Sequence, residues 1–482
     1  MVDRREARET VPASSIGRCE MSDFYGINIA LSSLYAQRQG LETTGHNIAN
    51  AETEGYSRQK VDMSATSGNA VPAVYSVAAR GGSGVHVTRV ERIRDAFLDI
   101  RSLEEHSSFE KLKQLRQVHE SVESFFNEPG ENGIQALLSE YWNAWDDVAN
   151  NPIDVSARQV LVERGQTLAA ALREVDADLD VLRDTILSRL KAEVPTVSEK
   201  FLQIADLNQA IEVANMSELG VNDLLDQRDL LIKEVAKKTG LRIRPGENGQ
   251  MNLFLGGAMV VNNNSAMPVH MNTNRIPPLV EFAVSGLPVE ISTGAIGAML
   301  QVVDNTAPGL IERLRGQLDE VARELVASVN AMHVFVAGTN DTYTLDGKES
   351  GTFFLGTDAK SVKVDPDVAQ NPRLVAAGLG NAAFNGENAL RLAELGSETE
   401  GIDAGYRRMI VDFGVEARAV DRRYDVQYGL VRQVDAARSS AAEVSLDEEM
   451  ANMVRFQRAY EAAAKFLSTV DQLLGTLLSL AR

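Results

Sequence analysis

The chain is predicted to be mainly α-helical with a small β insertion, an α+β protein of long helical hairpins, a terminal coiled coil and an antiparallel β-domain in the middle. Three observations carry this. Apolar residues recur at heptad spacing near both ends of the 482-residue chain, and a helical pattern runs almost unbroken through residues 154–216. After Gly240 the apolar period drops to two, the spacing of a strand rather than a helix. The order helix, β, helix implies nested halves, with the outermost pieces of the chain pairing with each other.

The N-terminal helix is read over residues 24–48. Ile27, Leu34, Leu41 and Ile48 recur every seven residues and Leu31 fills part of the i+4 row, so one face can carry an apolar stripe. Asn, Thr and Gly cluster after Ala49 and end the helix. Gly55 then admits a positive φ. Gly81, Gly82, Ser83 and Gly84 followed by Val85 and Val87 read as a hairpin segment; the glycine spacing does not fit a phosphate-binding loop. Helical periodicity over 92–127, carrying Phe97, Leu115, Val122 and Phe125, is stopped by the run from Pro129 to Gly133. A second helix bearing Tyr141, Trp142 and Trp145 ends at Asn150, Asn151 and Pro152. The third, over 154–216, is broken only by Pro195.

Another helix opens at Asn222, with Leu225, Leu230 and Val235 facing inward. Two alternating runs around a Gly-Glu-Asn-Gly turn, then a strand pair through Ser285 and Gly286, place the β-domain at 241–293. Helix returns at 310–335, followed by a turn-rich stretch at 338–351, Phe353-Phe354-Leu355 and a short strand near 362–364. Beyond Ile402 helical pattern resumes and leads into a C-terminal seam. There Met453, Phe456, Tyr460, Ala463, Leu467, Val470, Leu474 and Leu477 alternate steps of three and four. The domains expected are 21–70 with 445–482 as a helical coiled coil, 71–240 with 294–444 as a helical rod, and 241–293 as the β-domain. Burying the two terminal stripes does not offset the backbone ordering they require, so the ends are expected to order when neighbouring subunits add surface.

A net charge of -20 and an isoelectric point near 4.9 argue against nucleic acid or an anionic membrane as partner. No apolar run is long enough to span a membrane. Residues 1–20 lack the apolar core of a cleaved signal peptide. They read as a disordered extension or as lying before the true start at Met21, which would leave the protein without its one cysteine, Cys19. No catalytic or cofactor constellation emerges. The six histidines, His46, His86, His106, His119, His270 and His333, are scattered, and His119-Glu120 lacks the fourth-position partner of a zinc helix. Asp146-Asp147 and Glu448-Glu449 read as solvated helix faces. Asp341 and Asp346 lack the spacing of a calcium loop, and no nucleophile elbow is present.

Three motifs carry a family resemblance. Asn47, Ile48, Ala49 and Asn50, then Gly55, Tyr56, Ser57, Arg58 and Gln59, resemble the N-terminal signature of flagellar rod, hook and hook-associated proteins. Asn222, Asp223, Leu224, Leu225, Asp226, Gln227, Arg228 and Asp229 look like a motif of the hook-associated protein 1 family. Residues 444–449, running into Phe456 to Tyr460, are similar to that family's end. The resemblance spans essentially residue 21 to the C-terminus. It implies a non-enzymatic structural subunit, without cofactor or metal, of a short ring joining the flagellar hook to the filament. It further implies identical subunits, hook protein and the second hook-associated junction protein as partners. A cytoplasmic export chaperone would hold the C-terminal helix before passage through the flagellar type III export apparatus, and the protein would end outside the cell without a cleaved signal. Between Gly356 and the C-terminal helices only a short link is expected, where larger members carry an outer β-rich domain. The rivals are another axial subunit, either hook protein or the second junction protein, and a secreted enzyme on an axial scaffold. The motif at Asn222 to Asp229 and the long helices before it argue against hook protein.

Overall fold

A computed structural model describes residues 20–66, 84–217, 219–305, 309–380 and 385–480, with side chains from residue 26 onward. The expectations placed on residues 1–19, Cys19 among them, and on Gly81 to Ser83 lie outside the described residues. In chain order the elements are α1 (Glu20–Ala49), β1 (Gln59–Ala65), β2 (Val85–Arg92), α2 (Ala96–Phe126), α3 (Ile134–Asn150), α4 (Val155–Met216) and α5 (Asn222–Thr239). Seven short strands follow: β3 (Arg242–Pro245), β4 (Met251–Leu255), β5 (Ala258–Asn262), β6 (Ser265–Ala266), β7 (Val269–Asn272), β8 (Leu279–Phe282) and β9 (Pro288–Val289). Then come α6 (Gly294–Val303), α7 (Leu310–His333), β10 (Thr342–Tyr343), β11 (Phe354–Leu355), β12 (Lys363–Val364), α8 (Pro366–Gln370), β13 (Gly378–Leu379), α9 (Glu387–Glu394), α10 (Ile402–Ala442) and α11 (Leu446–Leu480). The fold is mainly α with a small antiparallel β insertion, as the periodicities predict. No described helix is long and apolar enough to cross a membrane.

The chain divides into two compact units. The terminal unit is drawn from Met1–Asp99, Val213–Leu230 and Asp435–Arg482, and the larger unit from Ile100–Glu212 and Leu231–Val434. The terminal unit therefore takes in residues 84–99 and 213–230, which the sequence assigned to the rod. The cause is the hairpin: β1 pairs antiparallel with β2 from Gln59↔Arg92 to Ala65↔Val85, with a bulge at Asp62/Met63, and the start of α5 packs polar groups onto it. The helical pattern read from residue 92 accordingly begins at 96, because Arg92 still belongs to the strand.

In the terminal unit α1 packs along α11. On α11 the expected seam faces the partner: Ala463 and Val470 are buried, Met453, Phe456, Leu467 and Leu474 half-buried, while Tyr460 and Leu477 sit at 37% and 46% exposure on its margin. The seam on α1 differs from the expected one. It runs through Gly26, Ala30, Gly40, Thr44 and Asn47, whereas Ile27, Leu34, Leu41 and Ile48 are half-buried beside it and Leu31 is exposed. A Cβ at Gly40 would lie 2.7 Å from the Phe456 ring, and one at Gly26 3.5 Å from Val470. Small residues admit the large knobs of α11 at close range, so searching for large apolar residues at heptad spacing finds the neighbouring row.

The larger unit has one continuous core, to which helices and β-strands both contribute. Strands β3-β4-β5-β6 form one sheet and β7-β8-β9 another. Leu253, Val261 and Val280 from these sheets are buried in the same cluster as Leu161, Phe201 and Leu318, so 241–293 shares its core with the helices. Pro195 does not break α4: Leu190, Val194, Val197 and Phe201 are buried on either side of it while Pro195 faces solvent. Lateral burial outweighs the proline's cost of about 3 kcal/mol. The described residues between 357 and 401 are more than the short link expected. Val362, Val368, Val375, Ala389 and Leu392 are buried, α9 packs on α3, and a Cβ at Gly386 would fall 2.2 Å from the Ala149 carbonyl.

His333 fastens this region. The fully buried ring donates from Nδ1 to the Gly351 carbonyl at 2.7 Å and accepts at Nε2 from the Ala376 amide at 2.9 Å, while Phe353 stands edge-on at 5.5 Å. An acceptor at Nε2 requires the neutral ring. Burial pushes its pKa down from 6.5 to about 4, the Gly351 bond opposing and Arg158 assisting. Between those values the unfolded chain binds the extra proton, so stability rises with pH. The contribution is complete above pH 6.5 and is lost on acidification towards pH 4, by about 3 kcal/mol. Urea unfolding of the parent and His333→Gln proteins at pH 7.5 and 4.5 checks this: the parent loses about that much more stability between the two pH values than the variant does.

Candidate functional site: the polar junction at the ends of the terminal helices

α1 ends where its backbone turns away from the helix axis. The Asn50 amide and side chain both reach the His46 carbonyl, at 3.1 and 3.0 Å, and the Thr53 and Tyr56 amides close two successive turns. Gly55 has φ +85°, with Leu230 3.4 Å from where a Cβ would stand. The turn thus needs glycine for its backbone and has little room beyond it.

Two residues before the helix end, Asn47 is buried and uses its whole amide. Nδ2 donates to the Gln59 carbonyl at 2.8 Å and to Glu449 Oε2 at 3.0 Å; Oδ1 accepts from the Gln59 amide at 2.9 Å and the Tyr56 hydroxyl at 2.7 Å. It therefore joins α1, the first residue of β1 and the start of α11. Glu449, 2% exposed, is the counterpart. Its Oε1 takes Arg58 Nε at 2.8 Å and Nη2 at 2.7 Å, and Arg58 Nη1 reaches the exposed Glu448 at 2.7 Å. Burial alone would lower the Arg58 pKa, but its hydrogen bonds to Glu449 and Glu448 raise it above its ordinary value. Burial, then the negative charges of Asp226, Asp223 and Glu449, raise the Tyr56 phenol, so it stays protonated and donates. The reading of Glu448-Glu449 as a solvated face is corrected here: both acids meet Arg58, but Glu448 stays solvated while Glu449 faces inward onto Asn47 as well and is buried.

A second layer is built by α5. Asn222, Asp226 and Asp229 sit at i, i+4 and i+7 on one helical face. Asn222 Nδ2 donates to Gln59 Oε1 at 3.0 Å and the Val90 carbonyl at 3.1 Å. Asp226 accepts from the Ser57 amide at 3.0 Å and Arg92 at 2.7 Å. Asp229 holds Arg92 at 2.9 Å, Arg94 and, at 3.3 Å, Arg228. Asp99 extends the chain of charges from Arg94 at 2.8 Å to Arg438 at 2.7 Å. Burial would raise the Asp229 pKa, but Arg94, Arg228 and Arg92 hold it below the ordinary carboxylate value. Leu224 and Leu225 are half-buried, and Asp223 and Gln227 are exposed. Six of the motif residues thus meet the unit and two face solvent. The seam residues of α1 and α11 form the apolar continuation of the same unit.

The arrangement binds backbone and helix ends to each other, and its charges are spent on one another. Among the described residues no group of three or more His, Cys, Asp or Glu is placed to hold a metal. Comparison with known proteins agrees with a structural reading. Residues 119–388, over half the chain, match the family described as the Flagellar hook-associated protein FlgK helical domain. The chain belongs to the flagellar hook-associated protein FlgK family. Its ends match two further families, Flagella basal body rod protein over residues 27–56 and Flagellar basal body rod FlgEFG protein C-terminal over 438–480. It is 28% identical to the Flagellar hook-associated protein 1 of Bacillus subtilis, over 95% of this chain and 98% of that one. Against its namesake from Escherichia coli identity is 21%, over 94% and 99%. The flagellar hook junction protein FlgK from Burkholderia pseudomallei shares the fold at a TM-score of 0.56 and 16% identity, over 72% of this chain and all of that one. The protein is accordingly a structural component of the flagellar hook-filament junction, and it assembles with other flagellar axial proteins.

Sequence reasoning reached Asn47, Tyr56, Arg58, Gln59 and the Asn222 to Asp229 helix through resemblance; it placed Glu449 in the C-terminal motif but read it as solvated, and it missed Arg92 and Arg94. The available signal was Arg92 and Arg94 two residues apart on a chain rich in acids. Two variants check the junction. Glu449→Ala leaves Asn47 and Arg58 without their buried acceptor and costs the terminal unit about 3 kcal/mol, the low end for breaking a buried pair, because Arg58 keeps Glu448. The readout is faster proteolysis of α11 with the larger unit's unfolding unchanged. Gly55→Val strains the turn at φ +85° and impairs assembly of the junction in cells, again without altering the larger unit's melting.

Proposed function

We propose that the chain works as one of a ring of identical, non-catalytic subunits, contacting hook protein on one side and the second hook-associated junction protein on the other, with α1 and α11 lining its inner wall. The supporting observation is that α11 keeps large apolar side chains exposed on both flanks of the seam it makes with α1. Leu446, Met450 and Val454 are 52%, 59% and 55% exposed, and Phe466, Leu473 and Leu478 46%, 57% and 70%, although α1 covers Ala463 and Val470. That many exposed apolar side chains along one helix mark an interaction surface. Leu31 and Tyr35 of α1, 38% and 63% exposed, offer a different surface for a neighbour, and two unlike surfaces on one subunit give head-to-tail contacts that close into rings. The same exposed side chains of α11 would be held by a cytoplasmic chaperone until the chain leaves through the flagellar type III apparatus without a cleaved signal, and the terminal pair would gain its full order on assembly.

Deletion of the gene with imaging of cells tests the reading. Cells that keep hooks and shed filament protein into the medium support it; filaments of normal length on deleted cells overturn it.

A further inference from the structure

The larger unit carries two solvent-facing helix stripes that complement each other in charge. On α10, Val411, Val415 and Val426 are 62%, 61% and 65% exposed. Arg418 and Arg422 lie between them at steps of three and four, on the same face. Both arginines are exposed and neither makes an ion pair among the described residues. Arg423 stands beside them, also exposed and without an ion pair, while Asp421 is engaged by Arg116 at 3.3 Å and Asp425 marks the stripe's edge. The face is an apolar ridge about 22 Å long whose unpaired cations are Arg418 and Arg422, with the exposed Asp425 seven residues from the first and three from the second.

Two surface hollows, of about 610 and 510 Å³, flank the ridge; Val411, Gly414, Val415 and Arg418 line the first, and Arg422 and Val426 the second. Gly414 and Gly429 add an independent observation. A Cβ at either would meet nothing within 4 Å, so packing inside this chain does not call for glycine, although each weakens a helix interior by about 0.5–1 kcal/mol. They leave room for the close approach of a second helix, as does the equally open Gly405 of the same helix.

The complementary stripe is on α4. Glu163, Ala170, Glu174, Ala177 and Val181 follow heptad-like steps along one face, with Asp178 adjoining. Glu174 is exposed and Val181 is 65% exposed, and neither Glu174 nor Asp178 makes an ion pair among the described residues. The stripe is small, apolar and acidic over about 27 Å, with the exposed Arg173 along its border, where the α10 ridge presents Arg418 and Arg422.

We propose that the α10 ridge of one copy of this chain docks on the α4 stripe of the next, with Arg418 and Arg422 facing Glu174 and Asp178 and the valines between them. The proposal rests on the ring reading above and deepens it by naming the lateral contact. Charge complementarity selects a second copy as the occupant: ridge and stripe are unlike surfaces of the same unit, so the contact is head-to-tail and propagates round a ring. Like charges brought together there cost enough to suppress wrong pairing.

Three alleles at the native locus test it. Arg418→Glu with Arg422→Glu, and separately Glu174→Arg with Asp178→Arg, reduce filaments per cell by about tenfold or more; the combined four-substitution allele restores them to near the parent count. Circular dichroism of the purified variants keeps the parent helicity, since all four side chains lie outside the core. A combined allele no better than either half overturns the proposal, as it would if α10 met a different protein. A second measurement does not depend on the reversals: Val181→Cys with Val415→Cys on a Cys19→Ser background, treated with a short bis-maleimide in isolated hook-filament complexes, gives a ladder of multimers, and monomer alone overturns the contact. Null cells that shed filament protein while both reversal alleles stay filamented sink this interface and leave the ring reading standing; normal filaments on null cells sink the ring reading itself.

Discussion

The terminal unit depends on one buried exchange of hydrogen bonds, the Asn47 amide with Gln59, Tyr56 and Glu449. An amide with two donors and two acceptor lone pairs is fully used at a point where a helix end, a strand start and a second helix start converge. Left unsatisfied there, each group would cost about 1–3 kcal/mol, so the position is specified by polarity as much as by shape. Everything else in the unit follows from that convergence: Arg58 is delivered to Glu449, Ser57 to Asp226, and the hairpin to the face of α5.

The two units are held by different physics. In the larger one, a continuous apolar core carries long helices through a proline and takes two small sheets into itself. In the terminal one, the apolar contact is narrow, because the α1 side of it is glycine, alanine and threonine, and ion pairs with few exposed members do much of the joining. Buried ion pairs are weak sources of net stability but strict selectors of geometry. That suits a component of the hook-filament junction, which must set the angles between its parts.

What was legible in the sequence was periodicity. The heptads of α11, the long helix over 154–216 and the change of period after Gly240 each appear where expected. A helix stop at Asn50 and a positive φ at Gly55 follow from local backbone chemistry and are both present. The misses share one cause, reliance on large apolar side chains as the mark of contact. On α1 the contact residues are the smallest ones, so Gly40 carries no hydrophobic signal although Phe456 lies directly over it. Glu449 has the composition of a surface residue and is buried only because Arg58, far away in sequence, is brought to it. Residues 357–380 and 385–401 lack strong periodicity and nonetheless fold, since they are ordered by His333, Phe353 and the α3 face rather than by any pattern of their own.

The distance along the chain between Asn47 and Glu449 sets an order of events. Those residues are 402 positions apart, and closing so long a loop carries an entropic cost that local contacts do not. A chain emerging into solution from either end can complete the compact core of its larger unit before both partners of the Asn47 bond are present. The polar junction is then the last part to form, and it acts as a seal that closes only when the whole polypeptide has arrived.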